Sequence, residues 1–125
     1  MPQVRKKNYL SSIELILWVA RYAEKCPFTF NFEGQNEMHN FLEYPICSGA
    51  ERTAHPTQKP LALIGKLVRI HSNKGDVILD PFLGSGTTAV AAKKLGRNYI
   101  GIEINPDYVK IAEERLKREC PPTML

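Results

Sequence analysis

The stretch "VILDPFLGSGTT", residues 77–88, constrains this chain more than any other. Its first four residues form a short β-branched run that reads as a strand. "TTAVAAKKL" (87–95) reads as a helix closed by Gly96. Between them the backbone must turn sharply, and Gly84 and Gly86 stand where it turns. Glycine tolerates such a turn and leaves room for a ligand against the backbone. "NYIGIEI" (98–104) is a second strand; Asn105 then caps a third helix that Pro106 begins, with Val109, Ala112 and Leu116 as its apolar stripe. Upstream, "PLALIGKLVRIHS" (60–72) sets Leu61, Ile64, Leu67 or Val68, and His71 at helical spacing, with Pro60 suited to the first turn. The order helix–strand–helix–strand–helix predicts an α/β fold with a parallel sheet and a right-handed crossover.

The amino-terminal part reads differently. "SIELILWVARY" (12–22) is apolar on both faces, which favours a buried strand, although so short a run leaves a helix open. "FTFNF" puts Phe28, Phe30 and Phe32 on one face and Thr29 and Asn31 on the other, the alternation of a half-buried strand. The two runs predict an antiparallel hairpin over 8–32. Residues 33–56 show no period and are expected to form a long loop, in which Arg52 and His55 are candidates for phosphate contact and Asn36, His39 and Asn40 for base contact.

At 125 residues the chain is long enough for a single domain over 1–125, organised as hairpin, loop and a cofactor-binding unit over 57–119. The most apolar run, "IELILWVA", is broken by Glu14 and is too short to span a membrane, and the basic start lacks the features of a secretory signal. A cytoplasmic protein is expected. Cys26, Cys47 and Cys120 are odd in number and widely spaced, so reduced thiols are expected rather than disulfides. Neither they nor His39, His55 and His71 follow a metal-ligand spacing, so no metal is expected. A net charge of +4 permits contact with nucleic acid.

Asp80 ends the first strand, and Glu103 lies about twenty residues beyond the glycine turn, near the end of the second. A carboxylate there is placed to accept hydrogen bonds from both hydroxyls of a ribose. The pattern points to an adenosine-bearing cofactor across the strand ends. A dinucleotide is one candidate, but no third glycine follows at Thr87–Ala89 and Asp80 repels a pyrophosphate. S-adenosylmethionine, with a sulfonium, an ammonium and no phosphate, suits an aspartate better. A plain turn with a solvated Glu103 is the simpler alternative, and it leaves the agreement of several separate features unexplained.

These residues resemble the amino-methylating DNA methyltransferases, which act on the N6 of adenine or the N4 of cytosine. "LDPFLGSGTT" is similar to their cofactor motif, "YIGIEINPDYVKIAEERL" to the strand and helix that follow it, and "ERTAHPTQKPLALIGKLV" to a further cofactor-binding segment, which precedes the glycine motif as in the permuted subgroup. "SSIELILW" and "FTFNF" resemble a hairpin at the far edge of the sheet. The resemblance implies a partial Rossmann-like, S-adenosylmethionine-dependent fold. It implies that Phe82, Gly84 and Gly86 wrap the cofactor, with Pro81, Thr87 and Ile104 beside them. Asp80 would face the methionine amino group, Glu103 the ribose, and Thr57 and Lys59 the amino-acid end, with Lys59 a partner for its carboxylate.

The family also uses a tetrapeptide of Asp, Asn or Ser, then Pro-Pro, then an aromatic residue, which grips the target amine and stacks on the flipped base. Here the sole Pro-Pro is "CPPT" (120–123), in which Cys120 is a poor acceptor and Thr123 cannot stack. No catalytic residue is therefore assigned. By the family's strand order the central catalytic strands would be missing, leaving a gap of about 14 Å between the hairpin and the glycine-motif strands. The expectation is an S-adenosylmethionine-binding portion of a DNA methyltransferase, inactive unless a second chain supplies those strands. The alternative is a remnant or regulatory module that binds nucleotide or DNA.

Overall fold

A computed structural model describes residues 13–21 and 28–122. The regular elements are α1 (Leu61–His71), β1 (Val77–Asp80), α2 (Thr87–Lys94), β2 (Asn98–Gly101) and α3 (Pro106–Glu119), preceded by short 3-10 turns at Gln35–Glu37 and Gly49–Glu51. β1 and β2 pair in parallel, Val77 opposite Asn98 and Asp80 opposite Gly101. The α/β order expected from the sequence is the order observed.

α2 is the centre of the molecule. It packs against α1, α3 and both strands. Ala89, Val90 and Ala92 have no exposed surface and Ala91 has 2%. A helix surrounded on all sides needs no polar face, and small side chains let its neighbours come close. Gly86 starts it with φ 79° and ψ 20°. A Cβ on Gly86 would lie 2.9 Å from the Cβ of Ala112, so the missing side chain brings α3 against the start of α2. Gly101 makes a similar allowance, since a Cβ there would lie 2.6 Å from Leu83 Cδ2. α3 begins as expected: Asp107 N donates to Asn105 Oδ1 at 2.9 Å, with Pro106 in the first turn.

β2 ends at Gly101 rather than at 104. Its partner β1 ends at Asp80. Beyond that point Ile102 N bonds Asp80 O at 2.9 Å and Leu83 N bonds Ile102 O at 2.9 Å, so the chain leaves the ladder to hold the glycine turn. The register puts Val77, Leu79 and Ile100 on one face of the sheet, and they are 58, 61 and 55% exposed. Parallel sheets are ordinarily covered by helices on both faces; here α2 lies against one.

The hairpin expected over 8–32 falls partly on residues outside the described ones (8–12 and 22–27). Its described parts, 13–21 and 28–32, carry no strand. Asn31 instead reaches α1. Its backbone N–H bonds Ile70 O at 2.7 Å, and its Nδ2 bonds Arg69 O and Ser72 O at 2.9 Å each. These bonds satisfy carbonyls at the end of α1, so the polar groups of Asn31 serve a helix terminus. The two runs meet through side chains: Trp18 lies 5.4 Å from Phe28, 5.8 Å from Phe30 and 5.7 Å from His71, ring centre to ring centre. The expected alternation is present, with Thr29 and Asn31 half-buried and Phe28, Phe30 and Phe32 exposed. The 33–56 segment is long and irregular as expected, apart from the two short turns. Ion pairs from Glu33 to Arg69 and from Glu37 to Lys66 tie it to α1. Among the described residues, no helix is long and apolar enough to cross a membrane.

Candidate functional site

The carboxyl ends of β1 and β2 present the chain's acidic and glycine residues together. Asp80 Oδ1 accepts from Phe82 N at 3.0 Å, which folds the chain back as it leaves β1. Gly84 (φ 53°) and Gly86 (φ 79°) then take left-handed conformations that side chains resist. Gly86 N closes the turn on Leu83 O at 2.9 Å.

Glu103 spans the gap between the strands. Its Oε2 accepts from Gly84 N and its Oε1 from Asn105 N, both at 2.8 Å. The Asn105 amide first, and then the Gly84 amide, hold its carboxyl below the usual carboxylate range. One side chain thus joins the glycine turn to the cap of α3. Each carboxylate oxygen still has a lone pair for a ligand hydroxyl.

The other sequence-assigned residues divide into two groups. Pro81, Phe82 and Ile104 flank the acidic residues and stand in solvent, Phe82 at 87% and Ile104 at 98% exposure. Large apolar side chains so open beside two carboxylates form a shelf for a ligand with both flat apolar and polar parts. Thr87 faces inward: its hydroxyl accepts from Arg115 Nη1 at 2.8 Å and donates to Lys59 O at 3.3 Å. Thr57 is exposed in a turn, and Lys59 Nζ pairs with the Glu14 carboxylate.

Several residues around the site were not assigned by sequence reasoning or were assigned differently. His55 packs against Tyr108 with the rings tilted at 60° and their centres 4.4 Å apart, and it backs the glycine turn so closely that a Cβ on Gly84 would lie 2.9 Å from its Nε2. Gln58 is buried; it accepts from Thr53 N at 2.8 Å and donates to Glu51 O at 2.7 Å, fixing the 51–58 bend. Arg115 is buried at 1% exposure on α3. The motif "HPTQKP" pointed to the neighbourhood of His55 and Gln58 but not to these partners. Arg52 Nη2 bonds Pro56 O at 3.2 Å, and Asn36, His39 and Asn40 are exposed. Cys47 and Cys120 are free thiols; burial first, then the neighbouring Glu51, pushes the Cys47 thiol up, while Cys26 lies outside the described residues. Among the described residues, no group of three or more His, Cys, Asp or Glu is placed to hold a metal ion.

The candidate site is thus a parallel βαβ unit with a glycine turn, an aspartate before it and a fixed glutamate after it. The family model described as DNA methylase (N6_N4_Mtase) matches residues 1–114, and the chain belongs to that family. It is 38% identical to the type II methyltransferase M.HinfI of Haemophilus influenzae over 135 aligned positions, which cover 98% of this chain and 37% of the relative. It is 36% identical to the type II methyltransferase M2.DpnII of Streptococcus pneumoniae, over 94% of this chain and 47% of the relative. The chain therefore spans less than half the length of these relatives. Among solved structures, the M1.HpyAVI–SAM complex matches with a TM-score of 0.67 and 47% identity, over 74% of this chain and 45% of that one. A putative DNA modification methylase of Thermus thermophilus, complexed with S-adenosyl-L-methionine, matches with a TM-score of 0.50 and 50% identity, over 51% of this chain and 27% of that one.

Proposed function

We propose that residues 57–119 form the S-adenosylmethionine-binding part of a DNA amino-methyltransferase acting on adenine N6 or cytosine N4. The observation that carries this reading is the Glu103 carboxylate, fixed by the Gly84 and Asn105 amides across the strand ends from Asp80. The donor set fits this cofactor. Two carboxylates suit hydroxyls, an ammonium and a sulfonium, and repel a pyrophosphate. Glu103 would hold the ribose, Asp80 the amino group and Lys59 the carboxylate, with Phe82 and Ile104 against the apolar surfaces. Bound there, the cofactor's sulfonium supplies an electrophilic methyl group; the chain's own residues orient it and shield one side from water. DNA is the proposed substrate.

The acceptor–Pro–Pro–aromatic tetrapeptide that would hold the target base is not among these 125 residues. We place it in a segment outside them, with a second chain as one source. The uncovered sheet face at Val77, Leu79 and Ile100 supports a further layer of structure there.

Calorimetry tests the cofactor reading. Saturable S-adenosylmethionine binding is expected, with Glu103→Ala weakening it about tenfold or more, the effect of losing hydrogen bonds to a charged group. Absence of binding by the unaltered chain overturns the proposal. A methyl-transfer assay with the chain alone is expected to show no turnover; robust turnover would show that the catalytic residues lie within these 125.

A further inference from the structure

Arg115 is the one charged side chain among the described residues that is fully buried. Its Nε donates to Glu119 Oε1 at 2.7 Å, one helical turn away on α3. Its Nη1 donates to Thr87 Oγ1 at 2.8 Å, at the exit of the glycine turn. Its Nη2 makes no hydrogen bond and lies 4.0 Å from Glu51 Oε1.

Two of these partners lead into the segment that carries Thr57 and Lys59. The Thr87 hydroxyl passes the contact on to Lys59 O at 3.3 Å. Glu51 Oε1 caps the first turn of α1 by accepting from Leu61 N at 2.6 Å, while Glu51 O holds the Gln58 side chain. Both flanks of Thr57–Lys59 are thus tied toward one guanidinium. Arg115 reaches this place because Ala112, three residues earlier on the same face of α3, rests against side-chain-free Gly86. A planar fork holds its donors in fixed, separate directions, whereas a lysine ammonium is a single compact charge.

We propose that Arg115 is a positioning residue: it sets the spacing between the glycine turn and the Thr57–Lys59 segment, and through it the grip on the amino-acid end of the cofactor. This rests on the cofactor reading above. The ribose end is held separately, by Glu103 on the Gly84 and Asn105 amides. The two ends of the ligand should therefore respond differently to loss of Arg115. A purely structural role would weaken both alike.

The test compares S-adenosylmethionine with 5′-methylthioadenosine, which lacks the amino-acid end, by calorimetry on the full chain and Arg115→Met. Affinity for S-adenosylmethionine is expected to fall about tenfold, as for one lost charge-assisted bond. Affinity for the nucleoside is expected to stay within about twofold, as for an independent site. If Arg115→Met does not fold, Arg115→Lys serves, since it keeps the buried charge and loses the planar fork that bonds Thr87 and Glu119 together. Equal losses for both ligands, or no loss for either, overturn the proposal. Failure of the unaltered chain to bind S-adenosylmethionine overturns the cofactor reading instead.

Discussion

Two apolar runs of this chain meet opposite fates. "TTAVAA" at the start of α2 is buried almost completely, with Ala89, Val90 and Ala92 at 0% exposure. "IELILWVA" is the more hydrophobic of the two, yet Leu15 is 96% and Leu17 87% exposed. Hydrophobicity alone decides neither outcome. α2 is enclosed because α1, α3 and both strands converge on it, and their spacing depends on small residues such as Gly86 and Ala112. The 13–21 run is met chiefly through side chains, in the cluster of Trp18, Phe28, Phe30 and His71. A buried position is a property of surrounding elements, and the apolar run merely qualifies for it.

The sharpest way to break that contrast is to place a charge in each run. Val90→Asp is expected to cost about 3–5 kcal/mol, because it leaves an unpaired charge in a closed interior. Leu17→Asp is expected to change stability by less than about 0.5 kcal/mol. Urea denaturation of both variants checks the difference; equal losses would mean that the 13–21 run is packed in solution. A smaller effect tests the spacing around α2. Gly86→Val would set a branched side chain against Ala112 at a positive φ, and is expected to cost about 2–3 kcal/mol. Gly75→Val, at a φ of 88° close to that of Gly86 but with nothing within 4 Å, is expected to cost less, which separates crowding from backbone conformation.

The least of the three concerns pH and the site itself. Glu103 has its folded pKa below the ordinary 4.5. Its contribution to stability is therefore present above the unfolded value and is lost as the pH falls through the lowered folded value. Unfolding curves of the unaltered chain and Glu103→Gln should differ at pH 7 and converge as the pH drops below 4.5. Parallel curves down to the acid limit would mean that the carboxylate is not held by the two amides.

Much of the carboxyl-terminal half was legible because its signals are local. The β1 bounds, the Asn105 cap, the Pro106 start and the positive-φ glycines each follow from a few adjacent residues. α1 and α2 matched their expected ranges to within one residue at each end. Other features rest on distant contacts. "FTFNF" alternates cleanly, but what Asn31 bonds is decided by α1, some forty residues later. Arg115 falls beside the expected α3 stripe of Val109, Ala112 and Leu116, and an arginine is rarely buried. Only the placement of Thr87 and Glu119 around it shows why this one is. Within the site, the acidic pair and the turn were legible, while the inward direction of the Thr87 hydroxyl was not.

The Glu103 carboxylate is already locked by two amides of its own chain. On the proposed reading, an incoming sugar would meet an acceptor whose rotamer is settled in advance, so little entropy would be lost there on docking. The same lock couples this carboxylate to loop geometry: any movement of the turn or of the start of α3 would shift the acceptor and, on the proposed reading, the fit of the sugar with it.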